Sequence, residues 1–391
     1  MDIWLGRGPE HVDAKDDWID RLEAMFRRSG TIPLTLIIIV TSVDLEDASQ
    51  VLLQHLPRCE TLVLQPPRRR IYYSTPPRQK VSAVHRILSS PLPILRRFVI
   101  GGSSLQYQPD QRRPLLLDAP NLQFICSSTR HIIPFVKPHE SPHCHGSLQY
   151  LSINGGWRNV MDLLPLTTVS LPGLKTLNLG DTHDLWKILQ ILDTPNLERL
   201  TVDCGIAEWS EEIDTPTPVL SNLRELTWYT NPATNREAPN LRHLLQHCPN
   251  IESFIYICRP GVVYSKQIRL AREDAVSLVL ALSDPLDETH DSSPRLCPGM
   301  KGLQLLCASF EQLRDLVLVR PALEYVSLQF RQPGDDFVVQ PKAVWREKVD
   351  LVRWIRSKVG FDFEEGVVEV VRPDLQEEEG VFWDPSGTTS E

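Results

Sequence analysis

One short phrase dominates the apolar positions of this chain: an apolar residue, two variable ones, an apolar residue, one variable, and a last apolar residue. Leu174, Leu177 and Leu179 form one copy, Leu197, Leu200 and Val202 another, and Leu148, Leu151 and Ile153 a third. Further copies begin at Leu223, Ile251, Met300 and Leu323, and weaker ones at Leu34, Cys59, Leu95 and Leu122, eleven in all. The fourth and sixth positions are two apart, so they share one side of a short strand, and the first fills the corner where the chain enters it. Between copies, stretches such as 47–56 and 184–192 carry apolar residues at helical spacing and predict return helices.

The copies recur almost regularly. Eight of the ten intervals between first positions fall between 23 and 28 residues, and the other two are 36 and 49. That period is the signature of a leucine-rich repeat. One strand plus one helix cannot bury its own apolar face, so the units must stack. The expected fold is an α/β leucine-rich-repeat solenoid, a horseshoe of about eleven irregular repeats with a parallel concave sheet and convex helices. Prolines such as Pro172, Pro195, Pro249, Pro298 and Pro321 sit just before the strands, where they are expected to end the preceding helix. The ninth position of the copies holds Thr182, Gly156 or Gly205 where many such repeats carry asparagine, so no asparagine ladder is expected.

The pattern divides the chain into 1–31, a linker and capping helix with Trp18, Ile19, Leu22, Met25 and Phe26 on one face; 32–340, the repeats; 341–360, a second capping helix; and an acidic, largely disordered tail, 361–391. The two long intervals hold insertions. One is a Pro-rich basic loop containing Arg68, Arg69, Arg70, Arg78 and Lys80, and the other contains a predicted helix over 271–282.

Composition changes this picture only locally. Of the 391 residues, 41 are Lys or Arg and 50 are Asp or Glu, a net charge of −9. The tail alone carries ten acidic residues against Arg372, so it accounts for the whole excess and the repeats are neutral. An evenly mixed surface weighs against a nucleic-acid partner, although Tyr72 and Tyr73 beside the basic run leave phosphate contact and stacking as a second reading. The longest apolar run is far shorter than the roughly 20 residues a membrane helix needs, and no secretory signal is visible, so a cytoplasmic or nuclear location is expected. Eight scattered cysteines without a CxxC pair read as reduced, buried thiols.

Signatures of enzymes are missing from the sequence: it has no Gly-x-Ser-x-Gly, no phosphate-binding Gly-x-x-x-x-Gly-Lys and no His-Glu-x-x-His. His139, His143, Cys144 and His145 lie too close together to wrap a zinc ion without a second ligand pair, and His243 and His247 read as helix packing. No catalytic residue, metal or cofactor is therefore expected. Chemistry is better sought on the concave strands, where alternation turns positions three, five and seven outward. These supply Tyr150 and Asn154, Asn178, Arg199 and Asp203, and Glu225 and Tyr229, residue types that anchor protein interfaces. By the same alternation Leu36, Ile38 and Val40 in the first unit, and Ile255, Ile257 and Leu306 in late ones, are apolar and outward, which predicts a cover over them.

Trp18 followed by Phe26 to Leu36 (FRRSGTIPLTL) resembles the segment joining the F-box to the leucine-rich repeats in fungal F-box proteins, and Pro120-Asn121-Leu122 and Pro195-Asn196-Leu197 are similar to their repeats. The resemblance covers roughly residues 15–335. It implies repeats that hold a protein substrate for a cullin-based ubiquitin ligase, and the expected molecule is a monomeric, non-enzymatic scaffold. Skp1 is an implied partner only if an F-box stands upstream, since no Leu-Pro-x-Glu-like opening precedes Trp18. A stand-alone repeat binder is the alternative.

Overall fold

The computed structural model describes residues 2–5, 15–39, 45–65, 86–100, 119–128, 146–154, 168–182, 185–204, 220–230, 237–258, 278–279, 282, 296–305, 310–331 and 341–366. Thirteen strands form one sheet in strict chain order, every neighbouring pair parallel. They are β1 (Asp2–Leu5), β2 (Leu34–Ile39), β3 (Cys59–Gln65), β4 (Arg97–Ile100), β5 (Phe124–Ser128), β6 (Tyr150–Asn154) and β8 (Thr176–Thr182). The row continues with β10 (Arg199–Cys204), β11 (Glu225–Thr230), β12 (Ser253–Cys258), β13 (Gly302–Leu305), β14 (Tyr325–Arg331) and β15 (Gly360–Gly366). Two-residue strands β7 (Val169–Ser170) and β9 (Leu192–Asp193) pair separately. Parallel strands in sequential order, with helices between several of them, are the leucine-rich-repeat arrangement the period predicts.

Helices cover one face of the sheet: α1 (Lys15–Ser29), α2 (Leu45–His55), α3 (Leu185–Ile191), α4 (Glu237–Gln246), α5 (Phe310–Val319) and α6 (Pro341–Lys358). Leu22 and Phe26 of α1, Leu52 of α2, Ile188 and Leu189 of α3, and Leu244 of α4 join the strand residues in one continuous core. The fourth and sixth positions of the copies enter that core, Leu177 with Leu179, Leu200 with Val202 and Leu226 with Trp228 among them. The largest fully buried side chains include Trp228, Phe254 and Tyr256 of β11 and β12, with Phe26 of α1 and Phe98 of β4.

Many of the strands are entered through a tight turn. The amides of Leu95, Leu122, Leu174, Leu197 and Leu323 bond back to the carbonyls three residues earlier, those of Leu92, Ala119, Leu171, Thr194 and Arg320. Pro93, Pro120, Pro172, Pro195 and Pro321 hold the second place of these turns, where a fixed φ is already correct. The prolines thus shape the strand entry itself rather than only ending the helices before it. Past the turn, two successive amides share one carbonyl of the preceding repeat, as Lys175 and Thr176 do with Gln149 at 2.9 and 3.0 Å.

An asparagine ladder is present after all, displaced from the ninth position to the turn. Asn121, Asn196, Asn222 and Asn250 each donate through Nδ2 to the preceding repeat, to the carbonyls of Pro93, Pro172, Pro195 and Ser221 at 2.7–2.8 Å. Ser147 bonds the Leu122 carbonyl at 2.8 Å in the same way. The rung at Gly173 carries no side chain, because a Cβ there would stand 2.6 Å from the Gly146 carbonyl oxygen.

Three further expectations are corrected. In the first repeat Leu36 and Ile38 face the core, fully buried, and are not outward. The register shifts between Leu34 and Thr35, so Leu36 and Ile38 stand beside Leu62 and Leu64, and a one-residue slip exchanges the two faces of a strand. Val40 lies outside the described residues. At the N-terminus, residues 2–5 extend the sheet ahead of the capping helix, pairing with 35–38. Beyond α6, residues 360–366 are a paired strand rather than the start of a disordered tail. Phe361 packs against the core, and that apolar contact together with the ladder to β14 holds an otherwise acidic segment in place. The tail from 367, the basic loop with Arg68, Arg69, Arg70, Arg78 and Lys80, the His139–His145 cluster, and Leu306 lie outside the described residues.

Candidate functional site on the open face of the sheet

Parallel register converts sequence positions into rows that run across the strands on the face opposite the helices. Position three gives Thr61, Arg97, Phe124, Tyr150, Thr176, Arg199, Glu225 and Ser253 side by side. Position five gives Val63, Val99, Cys126, Ser152, Asn178, Thr201, Thr227 and Ile255. Neither row belongs to the continuous core under the helices, although Val63, Val99, Ser152 and Asn178 of the second are buried where they stand.

Within them stands a stacked column. The Arg97 guanidinium lies 4.5 Å from the centroid of the Phe124 ring. Phe124 in turn stacks on Tyr150, with centroids 4.1 Å apart and planes within 6°. One aromatic residue per strand, at a strand spacing of about 4.8 Å, places rings at nearly stacking distance without further adjustment. Asn178 Nδ2 donates to the Tyr150 hydroxyl from the neighbouring row and fixes the ring's rotation. Burial pushes the Tyr150 hydroxyl well above its usual range, with the nearby Cys126 adding to the effect, so the phenol stays neutral.

A second group lies two strands further on. Arg199 Nε meets Glu225 Oε2 at 3.0 Å across β10 and β11, both side chains exposed. Asp203 stands in register with Tyr229. Burial, and then the Asp203 charge, raise the Tyr229 hydroxyl above its ordinary value. The structure thus joins Tyr150 to Asn178, Arg199 to Glu225, and Asp203 to Tyr229. Asn154 takes its place between Ser128 and Gly180, and its side chain is not among those described.

Sequence reasoning missed Arg97, Phe124 and Cys126. They occupy outward positions of two weaker copies, starting at Leu95 and Leu122, and the same alternation applied there would have found them. Ile255 and Ile257 are outward and half-buried, as expected.

Below the site, the second position of the copies forms a charged rim. Arg96 pairs with Glu60 at 3.3 Å, Lys175 with Glu198 at 3.2 Å, and Glu252 with both Arg224 and Lys301 at 2.9 and 3.1 Å. These exposed pairs order the edge of the sheet more than they stabilise it.

The described thiols are poor nucleophiles. Burial pushes Cys59 and Cys297 to about 12 and raises Cys126 and Cys248 as well, so all four stay protonated at neutral pH. The His243 and His247 rings lie 4.5 Å apart, tilted by 46°, and the His247 ring Nδ1 lies 2.9 Å from the His243 carbonyl oxygen, a local contact at the end of the helix. Among the described residues, no group of three or more metal-binding side chains comes together, and no helix is long and apolar enough to cross a membrane.

No protein-family model matches this chain, and no curated protein does. Thirteen chains of solved structures match it. One belongs to the crystal structure of the Rad7 and Elc1 complex in yeast, at 12% sequence identity over 83% of this chain and 72% of that one, with a TM-score of 0.37.

Proposed function

We propose that this chain is a non-enzymatic protein-binding scaffold whose partner docks on the open face of the sheet across β4 to β11. The observation that carries this reading is the Arg97–Phe124–Tyr150 column, held by Asn178. Two stacked aromatic rings with an arginine at their end stand on a face that the core does not use, and aromatic and arginine side chains dominate the energetics of protein interfaces. The Arg199–Glu225 pair and Tyr229 continue the same surface.

The work of such a scaffold is recognition. It acts in the cytoplasm or nucleus, needs no cofactor, and works as a monomer. The likeness of residues 18 and 26–36 to the linker of fungal F-box proteins favours delivery of the bound protein to a ubiquitin ligase, with Skp1 as the adaptor where an F-box is supplied.

Affinity capture with quantitative mass spectrometry tests both levels. Tagged wild-type chain is compared with Phe124→Ser/Tyr150→Ser and Arg199→Glu/Tyr229→Ala chains of matched thermal stability. Partners that fall at least tenfold in either variant support the open-face site, and equal recovery from all three chains removes it. Skp1 recovered with the wild type supports the ligase role; partners recovered without Skp1 leave a stand-alone binder.

A further inference from the structure

Among the described residues, the position-three row is a column of flat groups with one seat vacant. Arg97, Phe124 and Tyr150 occupy consecutive strands and stack in turn. The next strand presents Thr176, and the one after it Arg199. Thr176 is too short to cover the second face of the Tyr150 ring, and Arg199 leans away from it toward Glu225. Tyr150 and Arg199 are two strands apart, about 9.6 Å at the usual spacing. A flat ring between them would have about 4 Å or more on each side, the separation of carbon atoms in contact. The floor is already fixed, since Asn178 is buried and committed to the Tyr150 hydroxyl.

Arg97 adds a second constraint. It is the only charged residue at the alternating outward positions from β2 to β8, and among the described residues no carboxylate pairs with it. The other cation of the row, Arg199, is answered by Glu225. Arg97 lies three strands from Thr176, about 14 Å, which an extended chain rising about 3.3 Å per residue covers in about four residues.

We infer that the seat over Thr176 takes an aromatic side chain from an extended segment of a partner protein, and that a carboxylate three to five residues away in the same segment pairs with Arg97. This deepens the proposed function and rests on it, because it names the chemistry of the partner at the same open face. The guest ring completes the column between Tyr150 and the Arg199 stem. A nucleic acid suits the surface less well: Arg97, which no carboxylate among the described residues pairs, answers one anion, while Asp203 and Glu225 at the outward positions of the next two strands repel a phosphate chain.

The test is selection from a random linear peptide library displayed on phage, panned on the folded full-length wild-type chain. Enriched peptides are then measured as synthetic peptides against wild type, Thr176→Trp, Arg97→Glu and Phe124→Ser. Thr176→Trp fills the seat from within; Arg97→Glu reverses an exposed charge, at the loss of its contact with the Phe124 ring, and covers the case in which the first variant does not fold. Enriched sequences should carry an aromatic residue and an Asp or Glu three to five positions apart. Each such peptide should bind at least tenfold more weakly to Thr176→Trp and to Arg97→Glu. Peptides that depend on Phe124 but ignore Thr176→Trp and Arg97→Glu overturn this inference and leave the proposed function standing. Selection that yields no peptide dependent on Phe124 overturns both. Single-stranded oligonucleotides run in parallel decide the partner class, and tight oligonucleotide binding lost in Thr176→Trp overturns the assignment to a protein segment.

Discussion

Replacing Arg320 by methionine should loosen the C-terminal repeats and leave the N-terminal ones intact. Arg320 opens the turn before β14 and is 7% exposed. Its guanidinium donates to three main-chain carbonyls, Nε to Leu282 at 2.9 Å, Nη1 to Cys297 at 2.6 Å and Nη2 to Leu296 at 2.5 Å. One side chain thus ties Leu282, Leu296 and Cys297 to the turn before β14. Methionine fills a similar volume but donates nothing. Leaving a buried acceptor unsatisfied costs about 1–3 kcal/mol, so three cost roughly 3–9 kcal/mol in the limit. Relief of the buried cation's desolvation, several kcal/mol, offsets part of this, and water reaching the carbonyls offsets more, for a net loss of about 2–4 kcal/mol. Arg320→Lys should fall between, because one ammonium cannot span three carbonyls held by a planar fork. Since each repeat touches mainly its neighbours, the loss should be local. Hydrogen exchange resolved by peptide should show faster exchange across β12 to β14 and unchanged protection in β3 to β8. An Arg320→Met chain within about 0.5 kcal/mol of wild type in urea unfolding, with the same exchange pattern, would refute the reasoning.

Removing single rungs of the turn ladder should cost less. Asn196→Ala loses the bond to the Pro172 carbonyl and should destabilise by about 0.5–1.5 kcal/mol, measured by urea unfolding. Asn196→Ala/Asn222→Ala should cost the sum of the single changes or more, as the two turns are adjacent. Gly173→Ala should cost about 1–3 kcal/mol by the same measurement, since its Cβ would push against the Gly146 carbonyl at 2.6 Å. Stability should also fall on mild acidification. Burial lowers His55 and His243 below 6.5, so the unfolded chain takes up these protons first. The two side chains therefore contribute nothing adverse above about pH 6.5 and oppose folding as pH falls through and below it. A thermal midpoint lower at pH 5.5 than at 7.5, with the difference reduced in His55→Gln/His243→Gln, is expected; an unchanged difference contradicts it.

Much of the architecture was legible because the repeat states one requirement eleven times. Alternation assigned Leu177, Leu179, Leu200 and Val202 to the core and Tyr150, Arg199 and Tyr229 to the open face, and the structure places them so. Reading failed where local geometry departs from the phrase. The first copy contains five consecutive apolar or β-branched residues, 35–39, which fit the pattern in two registers, and only the irregularity at Leu34 chooses between them. The terminal strands carry no full copy of the phrase. Their place depends on long-range pairing, Asp2–Leu5 with β2 and Gly360–Gly366 with β14, which spacing does not encode. The turn asparagines were visible in Pro-Asn-Leu, yet their partners are carbonyls 24–29 residues away, so their role appears only once the strands are stacked. Likewise, Arg97 and Phe124 look unremarkable along the chain. They become a site because parallel register sets them beside Tyr150.

The most direct test of the central claim is site-specific photo-crosslinking in cells. A benzophenone amino acid is placed at position 176 on the open face, or at position 54 or 246 on the exposed sides of α2 and α4. The account predicts a discrete protein adduct from position 176 that disappears when Phe124→Ser/Tyr150→Ser is added, and none of that adduct from positions 54 and 246. An adduct that forms from the helical positions and not from 176 would contradict it.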